Sequence, residues 1–224
     1  MSISIIIPTL NEAGCIAATI RCLRGQQPGE IIVADGGSSD ATVSEAGEAD
    51  RVLAAAPGRA LQLNAGAALA RENILLFLHA DCTLEAGALA EAARLLANPR
   101  VLAGCFAMTV PAAGWQYRLL EACASARVRL TGLAYGDQGL YLRRADFERL
   151  GGFPALRFME DVFFSRRLRD HGRVIVATSK IVVSPRRWQQ VGLVRQTLRN
   201  WTLTALAAAG VNPDQLARYY PEVR

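Results

Sequence analysis

Apolar residues cluster at Ile3–Ile7, Ile31–Val33 and Ile74–Leu78, and each cluster gives way to a polar, small-residue stretch. Runs this continuous, without a clean apolar/polar alternation, suit strands covered on both faces, the usual condition of a parallel sheet. The pattern predicts strands over residues 2–7, 30–34, 51–54 and 73–78, separated by helices over 12–24, 41–46 and 59–71. Such alternation implies βαβ units with right-handed crossovers. Farther along, an Ala/Leu-rich helix over 86–97 stops at Asn98-Pro99, and residues 101–110 read as a strand broken by Gly104. An amphipathic helix over 115–130, a strand over 137–143, a short helix over 144–150 and a helix over 161–171 follow. Two short strands, 173–177 and 180–184, precede a terminal helical region over about 189–209.

With 51% hydrophobic and 20% charged residues in 224, the chain has the composition of a packed globular protein. It shows no internal repeat or low-complexity linker, so a single α/β domain over 1–224 is expected, with a mostly parallel central sheet flanked by helices. No apolar stretch approaches the roughly 18–20 residues that cross a bilayer. Pro8 interrupts the N-terminal apolar run and no basic segment precedes it, so no secretory signal is visible and a cytoplasmic protein is expected. Five cysteines without a CxxC pair fit reduced thiols, with Cys82 beside Asp81 the one to watch.

The net charge of +5 is carried by arginine, with Lys180 the single lysine. Arginine's planar fork suits phosphate recognition. From Arg186 onward the chain is basic, which fits a phosphate-bearing substrate, an anionic membrane surface or solvent. Trp115, Tyr117, Leu119, Leu120, Trp188 and Trp201 are expected to pack in the core, peripheral contact with the inner face of a membrane being the alternative. The arginines are dispersed and no aromatic stacking platform is evident, so nucleic acid is not an expected partner.

The polar stretches after the strands carry the candidate chemistry. In open α/β sheets ligands sit beyond the carboxyl ends of the strands. Thr9, Asn11 and Glu12 follow the first strand, with Thr9 and Asn11 able to bond free backbone amides. Asp35 ends the second, and Gly36 and Gly37 permit close backbone approach ahead of Ser38, Ser39 and Asp40. The run from Ile74 to Asp81 reads as a buried strand delivering Asp81 to the sheet edge, with His79 two residues earlier. Alternation along it would turn both toward one ion. Glu160 and Asp161 open a helix whose dipole favours carboxylates, so capping alone accounts for them as well as chemistry does. Tyr135-Gly136-Asp137-Gln138-Gly139 sets an acid and an amide between glycines, suited to a sugar or to a tight turn.

The segments IIIPTLNE, EIIVADGGSSDAT, GRALQLNAGAALAR, LLFLHADC, YGDQGLYLRRADFERLGGFP and MEDVFFSRRLRDHG, in that order, resemble the family 2 glycosyltransferases of the GT-A fold. The compact length is similar to that of the small selenodomain-associated transferase subgroup. The resemblance implies a Rossmann-like GT-A domain in which Pro8, Thr9, Glu12 and Asp35 line a nucleotide pocket, Asp35 accepting a bond from the base and Arg59 lying alongside. Asn11 and Gly36 belong to the same two loops and are grouped with them. It implies that His79-Ala80-Asp81 occupies the place of an Asp-x-Asp motif holding Mg²⁺ or Mn²⁺, with histidine replacing the first acid. Asp161 would deprotonate the acceptor hydroxyl, with Glu160 orienting it or tuning its pKa. Gly136, Asp137 and Gln138 would meet sugar or acceptor, as would Arg187 and Trp188 of Ser184-Pro185-Arg186-Arg187-Trp188, which is similar to the family's arginine-tryptophan element but lacks the form found in processive synthases. Residues 1–100 are then the nucleotide-binding half, 101–185 the acceptor side and 186–224 a helical C-terminal region.

The expected activity is metal-dependent, inverting transfer from a nucleotide diphosphate sugar, a UDP-sugar first among them, to an acceptor hydroxyl. A nucleotidyltransferase is disfavoured because no glycine-rich basic loop follows the first strand. A nucleotide-sugar-binding protein without catalysis is disfavoured by the retained acids.

Overall fold

The computed structural model describes residues 2–220, apart from the side chain of Arg187. Strand β1 (Ile3–Thr9) leads to helix α1 (Ile16–Arg24), β2 (Glu30–Asp35), α2 (Thr42–Glu45), β3 (Arg51–Ala54), α3 (Arg59–Leu69) and β4 (Ile74–Phe77). Then come β5 (Cys82–Leu84), α4 (Ala88–Leu96), β6 (Val101–Thr109), α5 (Trp115–Thr131), β7 (Leu140–Arg143), α6 (Arg144–Arg149), α7 (Glu160–His171) and β8 (Arg173–Val183). Helices α8 (Arg186–Val191), α9 (Leu193–Ala208) and α10 (Pro213–Leu216) complete the described chain. One eight-stranded sheet runs β3-β2-β1-β4-β7-β6-β8-β5. Strands β3, β2, β1 and β4 are mutually parallel, whereas β7 pairs antiparallel with both β4 and β6.

Both faces of the parallel half are covered. Ile5, Ile7, Ile31, Val33, Ile74 and Leu76 pack on one side with Ile16, Ile20 and Leu23 of α1. Ile6, Ile32, Leu75 and Phe77 pack on the other with Ala60, Leu63 and Ala67 of α3. Alternate residues of one strand therefore enter different cores, which is why the runs carry no polar face. A third, smaller cluster joins Met159 and Val162 to Leu203, Ala207 and Leu216, laying α9 over the start of α7.

Four local expectations need correction. Helix α1 begins at Ile16 rather than residue 12, because Asn11 is left-handed (φ 57°) and the carbonyl of Glu12 closes a turn onto Cys15 and Ile16. The third apolar run leaves the sheet after Phe77; residues 79–82 form a turn closed by Cys82 N–H on the His79 carbonyl, and the short strand β5 follows unforeseen. Residues 136–138 form a 3₁₀ turn instead of starting a strand, with Gly139 left-handed (φ 63°) before β7. The two terminal strands are one, β8, whose register against β6 shifts between Cys105 and Ala107. Thr178 and Ser179 at that irregularity are held by Glu91, whose carboxylate accepts both backbone N–H groups and the Thr178 hydroxyl.

Candidate active site

Because β1, β2 and β4 are parallel, their carboxyl ends share one edge, and because β7 is antiparallel its start meets the end of β4, Leu140 lying opposite Phe77. Topology therefore brings Thr9, Asp35, the His79–Asp81 turn and the Gly136–Gln138 turn together.

The first two loops are bound to each other by side chains. Asp35 Oδ1 accepts from Thr9 Oγ1 (3.0 Å) and Ser38 Oγ (2.5 Å), while Oδ2 accepts the N–H groups of Gly37 (3.0 Å) and Ser38 (2.8 Å). Burial opposes the charge, yet these four donors hold the carboxyl below the usual value of 3.8. All its acceptor positions are engaged, so a base reaching Asp35 must displace one donor, and the Thr9 and Ser38 hydroxyls are the two able to rotate away. Asn11 gives its N–H to Ser38 Oγ (2.8 Å) and accepts at Oδ1 from Ser39 N–H (2.9 Å), which makes it a stitch between loops. Glu12 N–H is taken by Thr42 Oγ1 (2.7 Å). Below them the buried Gln62 donates to the carbonyls of Thr9 (2.7 Å) and Ala34 (2.9 Å), and its amide limits the space beside Gly36. Sequence reasoning passed over Gln62, although an amide between Leu61 and Leu63 on a helix packed against the sheet was the available sign.

His79, Asp81, Asp137 and Asp161 line one cleft of about 170 Å³, with Arg59 and Trp188 on its walls. Asp161 is fixed by two backbone donors: Gly136 N–H reaches Oδ2 at 2.5 Å and Val162 N–H reaches Oδ1 at 2.8 Å. A Cβ at Gly136 would stand 2.9 Å from His79 Nε2 and 3.0 Å from Asp161 Oδ2, so any side chain there would push the ends of both residues out of place. Gly136→Ala is expected to lower turnover about a hundredfold by misplacing both side chains, since displacements near 1 Å cost that much. Steady-state kinetics beside a circular dichroism spectrum matching the parent checks it.

Glu160 turns inward, 2% exposed, and meets Arg59 Nη1 at 3.4 Å. Burial, reinforced by the charge of Asp161, pushes its carboxyl up to about 7 against the pull of Arg59. Glu160 therefore anchors Arg59 rather than facing the cleft. Gln138 likewise departs from its expected place against sugar or acceptor: it is fully buried and its Oε1 accepts from Arg127 (2.5 Å), whose guanidinium stacks 3.4 Å over Tyr135. Trp188 lines the cleft while buried, and the side chain of Arg187 lies outside the described residues. Pro8, within β1, pairs in register with Ala34. Helix α9 contributes Gln196, Asn200 and Thr204 to the cleft; their i, i+4, i+8 spacing was a legible polar stripe that sequence reasoning did not use.

Arg186 Nη2 lies between Glu12 Oε2 (3.8 Å) and Asp81 Oδ2 (4.0 Å), so these acids already share a cation-seeking position. Among the described residues no three His, Cys, Asp or Glu side chains gather closely enough to hold a metal unaided. One carboxylate with a neighbouring imidazole fits Mg²⁺ or Mn²⁺ if a diphosphate and water complete the shell, as hard cations bound through one or two carboxylates do. The thiols beside it are unsuited to nucleophilic work, since burial first, and Glu12 or Asp81 next, push Cys15 up to about 12 and Cys82 well above its ordinary value.

Solved structures share this architecture. Staphylococcus aureus TarS 1-349 in complex with UDP-GlcNAc superposes with a TM-score of 0.65 at 19% identity, covering 82% of this chain and 58% of that one. GalNAc-T7 with UDP, GalNAc and Mn²⁺ gives 0.65 at 15% identity, covering 82% and 44%. A mycobacterial protein gives 0.56 at 20% identity, covering 82% and 65%. The chain thus spans less than two thirds of the length of these solved chains, and no curated protein matches it in sequence. The fold they share is GT-A. The family model for glycosyl transferase family 2 matches residues 4–158, which takes in both stitched loops, the His79–Asp81 turn and the Gly136 turn and stops just short of Glu160. On that match, over the strands and loops that build the cleft, the chain belongs to glycosyl transferase family 2.

Proposed function

We propose that the protein transfers a sugar from a nucleotide diphosphate sugar, UDP-sugars being the first donors to test, to an acceptor hydroxyl with inversion at the anomeric carbon. The observation that carries this reading is the convergence of His79, Asp81, Asp137, Asp161 and Arg59 on one cleft at the carboxyl edge of the sheet. The nucleotide sits over the loops at Thr9–Glu12 and Asp35–Ser38, with Arg59 beside it. Mg²⁺ or Mn²⁺, held by Asp81 with His79 adjacent, would supply charge neutralisation for the departing diphosphate. Arg186 exchanges its acidic partners for phosphate oxygens when the donor arrives, because a guanidinium binds phosphate through paired hydrogen bonds. Asp161 takes the proton of the acceptor hydroxyl, whose oxygen then attacks in line, and no covalent enzyme intermediate is formed. Among the described residues no helix is long and apolar enough to cross a bilayer.

UDP-sugars and GDP-sugars with Mn²⁺ should raise the melting temperature, by roughly 5–10 °C at about a hundred times Kd, while the nucleotide-free sugars should not. The test continues by following donor consumption with a panel of alcohols. Failure of every nucleotide sugar to shift the melting temperature, with or without metal, would refute the reading.

A further inference from the structure

A second chamber of about 250 Å³ adjoins the cleft, between β6, α5 and α9. Tyr135, Asp137, Trp188 and Asn200 line both spaces, so the two share a wall. Met108, Leu120, Ala124 and Trp201 give the chamber apolar walls, while Arg127 and Asp137 line it as well. Two donors in this chamber lack partners: the indole N–H of Trp188, a residue 8% exposed, and the Thr197 hydroxyl. Buried donors left unpaired are costly, which marks a place where a ligand supplies the acceptor atoms. Trp201, which lines the chamber, is 57% exposed, so the apolar wall opens to solvent.

We propose that this chamber holds the apolar body of an amphiphilic acceptor alcohol whose hydroxyl end lies at Asp161, an oxygen near its head accepting from Trp188 and Thr197. The assignment deepens the transferase reading and rests on it. It also explains why the expected core role of Trp201 fails: its ring is part of an open wall. A simple polyol leaves the chamber wet and gains nothing from Leu120 or Met108, whereas each methylene buried there strengthens binding.

Cys123 lines the chamber and is exposed, while Cys82 and Cys105 are buried, so it reports occupancy without any donor present. Maleimide labelling of Cys123, read by peptide mass, should slow in octyl β-D-glucoside below its micelle concentration. The slowing should saturate, reaching about tenfold at ten times Kd by mass action. Glucose at the same concentration should leave the rate unchanged. Equal rates in both sugars, or slowing without a plateau, would overturn the proposal. The donor melting shift measured on the same preparation separates the two readings: a donor shift without glucoside protection removes this inference alone, and protection without a donor shift leaves an amphiphile site in a protein that is not a transferase.

Discussion

Asp161→Asn is expected to lower turnover with any competent acceptor about a thousandfold, within the range general-base removal produces, while donor affinity and melting temperature stay close to the parent's. The expectation follows from geometry. Asp161 is held at both oxygens by backbone N–H groups, which fixes the carboxylate toward the cleft and leaves each oxygen a further lone pair for the acceptor's proton. Asparagine has the same outline but no basic oxygen. The neighbouring Glu160 cannot replace it, being buried and paired with Arg59. Loss of the Asp161 charge also removes one of the influences that raise Glu160, so any limb of the pH profile near 7 should move to lower pH in the variant, a change that a merely structural role would not produce. Full activity in a folded Asp161→Asn protein would remove this residue from the mechanism.

Much of the sheet was legible because the chain's apolar runs are long, β-branched and bounded by glycine and acidic residues, so strand existence followed from pattern alone. Strand ends were less so. The third run continues apolar through Leu78 and Ala80, yet pairing in the sheet stops at Phe77, because the alternation that marks a ladder's end is absent from a doubly buried strand. Strand β5 is three residues long and exists only through β8, a contact between residues about a hundred positions apart that no local window reveals.

The candidate site shows the same division. Acids at strand ends can be found by position, since topology places strand ends together. Whether such an acid faces a ligand or its own loop is set by partners distant in sequence. Asp35 and Asn11 turn out to be tied to loop donors, and Gln138 to Arg127, through bonds that only the folded chain creates. Arg59 was read as a nucleotide contact; its anchoring by Glu160 joins residues 101 apart.

Asp35→Ala should be the most damaging single change to stability in the nucleotide half, costing about 3 kcal/mol and lowering the melting temperature by about 10 °C. Four donors converge on this carboxylate, and alanine leaves the Thr9 and Ser38 hydroxyls and the Gly37 and Ser38 N–H groups to find water in a loop where Asp35 itself is 5% exposed. Asp35→Asn keeps the size but offers an amide group where an oxygen now accepts, so it should fall between the parent and the alanine variant. The pH dependence gives a separate check. The folded-state pKa lies below the ordinary 3.8, so the stabilisation is complete above that value and is lost as pH falls through the folded pKa. The gap between parent and Asp35→Asn in urea unfolding should therefore be constant at neutral pH and close in acid. Because the same carboxylate holds the glycine turn over which the nucleotide is proposed to lie, nucleotide-sugar binding, read by calorimetric titration, should vanish in Asp35→Ala even at temperatures where that variant is fully folded. Undiminished donor binding there would mean that the loop's shape, and the nucleotide with it, depends on the Asn11–Ser39 stitch instead.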